Sequence, residues 1–293
     1  MSAEIREVLV VGAGLMGSGI AQVAAQGGFQ VTLVDTGEEV LARGLARIED
    51  SLTRLVRSGR LGEVAAADAR ARIGTTTDLV EAARGADLVI EAIVEDLDAK
   101  QALFAKLGDS CRPDVVLATN TSQFQISRIA EPCERPERVI GVHFSNPPPL
   151  MTLVEVILGD HTSEAALEVT REFLAACDRE IVLCRKDVPG FISNRLSTAL
   201  CMEAARLVDE GIATPEDVDK VARLMYGHKM GPIATLDLAG LDTALRVSTA
   251  LSEHYGGDRF TPPPILAQLV EQSRYGNKSG AGFYENGSSQ LAV

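Results

Sequence analysis

The chain has 293 residues, 46% hydrophobic and 24% charged, with 28 basic against 41 acidic side chains and a net charge of −13. That apolar content excludes intrinsic disorder, and the acidic balance argues against nucleic acid as a partner, because phosphate would be repelled. Five scattered cysteines without a C-x-x-C pair read as small core residues in a reducing compartment, not as a disulfide framework, and no metal site is expected.

Residues 5–11 (IREVLVV) close in a β-branched run expected as a buried strand. GAGLMGSG follows and opens a helical pattern over residues 15–27. Residues 30–35 (QVTLVD) read as a second strand ending in an acid. The uncharged stretch from Val8 to Val34 is long enough to cross a bilayer. Its many glycines and glutamines fit a strand, turn and packed helix better, so no membrane contact is expected. Residues 38–72 carry Arg, Glu, Ala and Leu at helical spacing and predict two helices broken near Ser58–Gly62. Further strands are expected at 86–91, 114–118, 138–144, 151–158 and 180–184, with helices at 97–108 and 163–176. The NPPP run at 146–149 stops regular structure.

From Asp187-Val188-Pro189-Gly190 onward the character changes. Residues 191–211 and 215–226 have helical spacing, and no convincing strand follows. Strands alternating with helices, then helices alone, predict two domains. Residues 1–187 should form an α/β domain, a mostly parallel doubly wound sheet with a helical insertion at about 38–72; residues 188–293 should be all-helical. The N-terminal MSAEIRE lacks the basic and apolar regions of a signal peptide, so a cytoplasmic location is expected.

Gly12-x-Gly14-x-x-Gly17 sits directly after a predicted strand and opens a predicted helix. In that context the first glycine permits the tight turn, the second lets a pyrophosphate approach the backbone, and the third lets helix pack on strand. Phosphates would then lie over free N–H groups at the helix N-terminus. Asp35 ends the second strand, where a carboxylate accepts both ribose hydroxyls and repels a 2′-phosphate. No Arg or Lys follows before Arg43, so the expected cofactor is NAD, not NADP.

Of the four histidines, His143 ends a predicted strand, where ligands of open α/β sheets bind. An imidazole there suits abstraction of a hydroxyl proton as hydride leaves the same carbon. Glu155, in the apolar LVEVI run, needs a partner if buried; His143 would supply one. Spacing alone equally fits a strand-end histidine and a satisfied structural acid. Asn120-Thr121-Ser122 follows another strand and fits either a substrate-binding turn or a helix cap. Asn194, in GFISNRL, fits a site amide or a surface residue. Arg43, Arg47, Arg54, Arg57 and Arg60 share one helical stretch with Glu38, Glu39, Glu49 and Asp50. This reads either as a receiver for a phosphorylated substrate such as coenzyme A or as a solvated face.

Taken together, these segments resemble the short-chain L-3-hydroxyacyl-CoA dehydrogenases, over about residues 5–285. GAGLMGSGIA is similar to the family's nucleotide loop, which puts Gly12, Gly14, Leu15, Met16 and Gly17 on the cofactor. EAIVEDLDAK resembles its E-A-x-x-E-x-x-x-x-K segment, so Glu95 and Lys100 would touch the cofactor, joined by Asn120. NTSQFQIS assigns Ser122 to the reacting oxygen. HFSNPPPLMTLVEVI makes His143 the catalytic base, Glu155 its partner and Asn146 a substrate-site residue. DVPGFISNRL adds Asn194.

The resemblance implies a Rossmann-type first domain, a helical second domain that makes a homodimer, and a short acyl-CoA substrate held partly by Ser51, Arg54 and Arg57. Ser145, Thr152 and Ser193 depart from the usual Phe, Lys and small apolar residue of the family. Those replacements also fit a carrier-bound acyl group or a free hydroxy acid. A non-catalytic NAD-binding protein is the alternative from another class.

Overall fold

The computed structural model describes residues 5–285. The chain divides into two compact units, Met1–Phe191 and Ile192–Val293.

The first unit alternates strands and helices: β1 (Glu7–Val11), α1 (Leu15–Gln26), β2 (Gln30–Val34), α2 (Glu38–Arg57), α3 (Glu63–Ala71), β3 (Ile73–Thr76), α4 (Leu79–Gly85) and β4 (Leu88–Glu91). Then come α5 (Leu97–Ser110), β5 (Val116–Thr119), α6 (Ile126–Ala130), β6 (Val139–Phe144), β7 (Leu153–Ile157), α7 (Glu164–Ala176) and β8 (Glu180–Cys184). The strands form one eight-stranded sheet in the order β3-β2-β1-β4-β5-β6-β7-β8. β1 to β6 run parallel. β7 is antiparallel to β6 because the 145–152 connection carries no crossover helix, and β8 pairs parallel to β7.

The strand order reverses between β1 and β4, which opens a crevice at their carboxyl ends. Strands such as β4 (LVIE) are buried throughout, as a sheet covered on both faces requires. Ile20 and Val23 of α1 and Leu41 and Ile48 of α2 pack on Val10, Leu33 and Ile90 of the sheet.

The expected break near Ser58–Gly62 falls between α2 and α3. β3 and α4 were not legible. IGTT is short and half exposed, and α4 has only seven residues, started by Asp78 accepting the Glu81 amide.

The second unit holds α8 (Ser193–Asp209), α9 (Pro215–Met225), α10 (Pro232–Ala239), α11 (Leu241–Tyr255) and α12 (Pro264–Glu271). Met202, Ala205, Ile233, Leu236 and Leu266 form its core. Its only β-pairing among the described residues is two isolated bridges near Ala281. No helix among the described residues is long and apolar enough to cross a membrane.

Candidate active site

The nucleotide loop turns between β1 and α1. Gly12 has φ +105°, and a Cβ there would sit 2.5 Å from the Ala92 carbonyl oxygen of the neighbouring strand end. A Cβ on Gly17 would lie 1.7 Å from the Gly12 carbonyl oxygen, so the helix approaches the turn only because that position is bare. Gly14 differs: a Cβ would meet nothing within 4 Å, so its backbone is approachable from outside. It caps α1 without a side-chain bond, and the first turn carries no acid to compete with a phosphate.

Asp35 accepts from the Ala13 amide at 2.7 Å through one oxygen and from the Thr36 amide at 2.7 Å through the other. It thus ties the loop to the end of β2; the oxygen bonded to Ala13 keeps a lone pair for a ribose hydroxyl, and the other also takes the Thr36 hydroxyl at 3.3 Å, a long contact that a ribose hydroxyl can replace. Loop, helix end and acid therefore fit a dinucleotide. Leu15 is exposed beside the loop and Met16 half-buried.

His143 and Glu155 are direct partners across the antiparallel β6–β7 pair. Opposite residues put their side chains on one face, and here Nδ1 of the imidazole lies 3.0 Å from a Glu155 oxygen. Glu155 is nearly buried, whereas His143 keeps 17% of its side chain exposed. The Phe191 ring stands 6.0 Å from the imidazole.

The turn at 120–123 lies at the neighbouring strand end. Asn120 accepts from the Phe144 amide at 2.9 Å, which ties the end of β5 to the residue after His143. The Asn120 amide donates to the Glu91 carbonyl at 2.8 Å. One Glu95 oxygen collects the Ser122 and Gln123 amides at 2.9 and 3.1 Å and the Thr121 hydroxyl at 2.6 Å. Lys100 stands beneath this turn, not on the surface. It is 1% exposed, and its ammonium lies 2.6 Å from Glu91 and 3.2 Å from Glu95. Direct contact with a cofactor, expected for Lys100, is at odds with that burial. Glu91, the fully buried third member, was not foreseen; an acid closing an apolar strand nine residues before a lysine was the signal.

Arg47, Asp50, Ser51 and Arg54 of α2 line a cleft of about 180 Å³ with Gly19 and Gln22 of α1 and Pro148. Arg57 is set apart from them: it lines a separate groove with Glu63 and Arg70 of α3. Asn146 is exposed. Ser145 donates its hydroxyl to the Leu153 carbonyl at 3.1 Å and so ties β6 to β7. Thr152 is exposed. Ser193 and Asn194 open α8 in the helical unit.

Four of the five cysteines offer no nucleophile in this setting. Burial pushes the thiols of Cys111, Cys133 and Cys201 up to about 11 and that of Cys177 to about 12. Among the described residues no group of three or more His, Cys, Asp or Glu is placed to hold a metal ion.

Residues 7–188 match the family model described as 3-hydroxyacyl-CoA dehydrogenase, NAD binding domain, and residues 190–286 match its C-terminal domain. A probable 3-hydroxybutyryl-CoA dehydrogenase of Deinococcus radiodurans is 44% identical over 276 residues, covering 94% of this chain and 98% of that one. The crystal structure of (S)-3-hydroxybutyryl-CoA dehydrogenase from Ralstonia eutropha superposes with a TM-score of 0.93 at 34% identity, covering 97% and 100% of the two chains. A diketoreductase that acts on dicarbonyl compounds matches with a TM-score of 0.84 at 30% identity, over 97% and 99%.

Proposed function

The chain belongs to the 3-hydroxyacyl-CoA dehydrogenase family, and from that premise we propose that it interconverts a short-chain 3-hydroxyacyl-CoA and the 3-ketoacyl-CoA with NAD. The observation that carries this reading is the His143–Glu155 pair, set across β6 and β7 at the ligand-binding end of a nucleotide-type sheet. NAD, when bound, supplies the nicotinamide that accepts or returns the hydride. Glu155 holds Nδ1, which fixes the tautomer and leaves Nε2 to exchange a proton with the C3 oxygen. The same carboxylate stabilises the imidazolium, a charge that exists only as reaction proceeds. Ser122, held by Glu95 from below, donates its hydroxyl to the C3 oxygen. Asn194, on the first turn of α8, is a further candidate on the strength of the family resemblance.

The 1–187 and 188–293 division is the organisation that serves this chemistry, close to where the two family models meet. Val221, Leu224 and Met225 form an exposed apolar stripe on α9, continued by Tyr226. Such a stripe suits a homodimer contact. Five cysteines outside any disulfide favour a reducing, cytoplasmic setting, with the reaction serving fatty acid metabolism.

The test is the initial rate of NADH oxidation with acetoacetyl-CoA beside free acetoacetate. A clear preference for the thioester is expected. Equal or faster reduction of the free acid would overturn CoA recognition and favour the second reading, a reductase of a free keto compound. That reading draws on the diketoreductase likeness and on polar Ser145, Thr152 and Ser193.

A further inference from the structure

We infer that Glu91 is a positioning residue for Ser122, acting through Lys100 and Glu95; the inference rests on the proposed role of Ser122 at the reacting oxygen.

Glu91 ends the central strand β4 and is 0% exposed, and Lys100 on the first turn of α5 is 1% exposed. Burying an ion pair costs desolvation that its attraction only partly returns, and apolar side chains of similar volume stabilise a core as well or better. Stability alone therefore does not account for the pair; fixed geometry does.

Glu91 meets three donors: the Ile93 amide at 2.7 Å and the Lys100 ammonium at 2.6 Å on one oxygen, and the Thr119 hydroxyl at 2.7 Å on the other. Its carbonyl also accepts the Asn120 amide at 2.8 Å. Both strand β5 and the start of the turn are thus referenced to one residue.

Lys100 relays that reference outward. Its ammonium lies 3.2 Å from one Glu95 oxygen, which leaves the other facing the turn, where it takes the amides of Ser122 and Gln123 and the Thr121 hydroxyl. The Ser122 hydroxyl sits 3.4 Å from the same oxygen. Glu95 is 27% exposed at its side chain, so without the ammonium it is free to turn toward water. The turn would then lose the anion that gathers its N–H groups. A carboxylate suits position 91 because it accepts from all three groups and carries the charge that pairs with the Lys100 ammonium; an amide could still donate to the Thr119 hydroxyl but loses that charge.

The experiment compares wild type with Glu91→Gln and with the paired Glu91→Gln, Lys100→Met. The single change strands a buried ammonium and so risks the fold. The pair removes both charges at similar volume and keeps its thermal midpoint near that of wild type. In the paired variant, amide exchange in the 119–125 segment is expected to accelerate about tenfold or more. With acetoacetyl-CoA, kcat should fall about tenfold while KM shifts less than about threefold, the signature of an interaction made in the transition state. Ser122→Ala should cost little further kcat in that background although it costs much in wild type, because coupled residues are not additive. Unchanged exchange at 119–125, unchanged kcat, or a full additive cost of Ser122→Ala would each overturn the inference. A wild-type chain that turns over no ketoacyl thioester would instead overturn the proposed activity. The exchange rates would still decide whether Glu91 anchors the turn.

Discussion

At the carboxyl end of the sheet, Glu91, Glu95 and Glu155 grip an ammonium, an imidazole and hydroxyls, beside the backbone amides that Glu91 and Glu95 also accept. In the helical unit, Asp219 and Asp237 grip mainly backbone. Asp219 takes the Ile233 and Ala234 amides at 2.8 and 2.9 Å, as a helix cap would for α10, and the Tyr284 hydroxyl at 2.8 Å. Asp237 takes the Phe283 and Tyr284 amides, both at 2.9 Å, and so clasps the 283–284 strand of chain against α10. Glycine is required around that clasp: a Cβ on Gly282 would collide with the Asp237 carboxylate. The contrast separates two uses of a buried acid. One orients groups that carry a movable proton or a charge; the other satisfies amides and fastens the chain.

The sharpest way to break that contrast is at the histidine. His143→Gln should lower kcat by about 10²–10⁴, the range for a positioned acid–base group. NADH affinity should stay within about threefold and the thermal midpoint should hold, because the glutamine amide can still donate to the nearly buried Glu155 in place of Nδ1. Fluorescence titration with NADH beside steady-state rates decides the matter. Joint loss of binding and turnover would put His143 with the fastening residues.

How much of this the sequence carried depends on range. The Gly12-Gly14-Gly17 loop, the two insertion helices and the change of character after Asp187 were legible because each is local: a strand, a turn and a helix in register, or a change of period. The pairing of His143 with Glu155 was one of two readings that spacing left open and the one the resemblance implied; the β6–β7 register is what puts the two side chains together. Glu91 looked like the mere end of a strand, and Lys100 was read as a cofactor contact, because nothing in the sequence brings the two side chains together. Their meeting needs α5 folded back over β4. Arg57 was grouped with Arg54 by proximity along α2, yet the two line different hollows. β3 was too short and too polar to rise above the loop around it.

The helical unit offers the next test. Burial pushes the Asp237 carboxyl above its ordinary value, against the pull of the two amides. The folded chain therefore holds that proton more tightly than the unfolded one. By linkage its contribution to stability is fully present below the ordinary carboxylate value and declines as pH rises through the folded one. Asp237→Asn cannot ionise and can accept only one of the two amides, so it should lose about 1–3 kcal/mol. Its deficit against wild type should be largest in mild acid and shrink toward neutral pH. Urea unfolding of both proteins across that range checks the trend; a deficit that grows with pH would mean the carboxylate is bound better than the acid. Turnover of the folded variant on acetoacetyl-CoA should change less than about threefold, unlike any change at Glu155.

The smallest expected effect concerns the two arginines of α2, where the same separation of roles can be read without touching a buried acid. Arg54 shares its cleft with Ser51, Gly19 and Pro148, close to the loop that follows His143, whereas Arg57 faces α3. A phosphate-bearing substrate tail seated in the first hollow would meet Arg54 and Arg47, with Asp50 beside them, and not Arg57. Reversing the charge of Arg54 removes one charge-assisted contact and adds a repulsion, which at about 1.4 kcal/mol per decade corresponds to roughly a tenfold rise in KM. Arg54→Glu should therefore raise KM for acetoacetyl-CoA about tenfold and leave a truncated thioester without phosphates unaffected, with kcat held in both. Arg57→Glu should leave both substrates within about twofold. An equal effect of the two substitutions would mean that net charge on the helix, not the cleft, governs binding, and raising the salt concentration would then erase both effects alike.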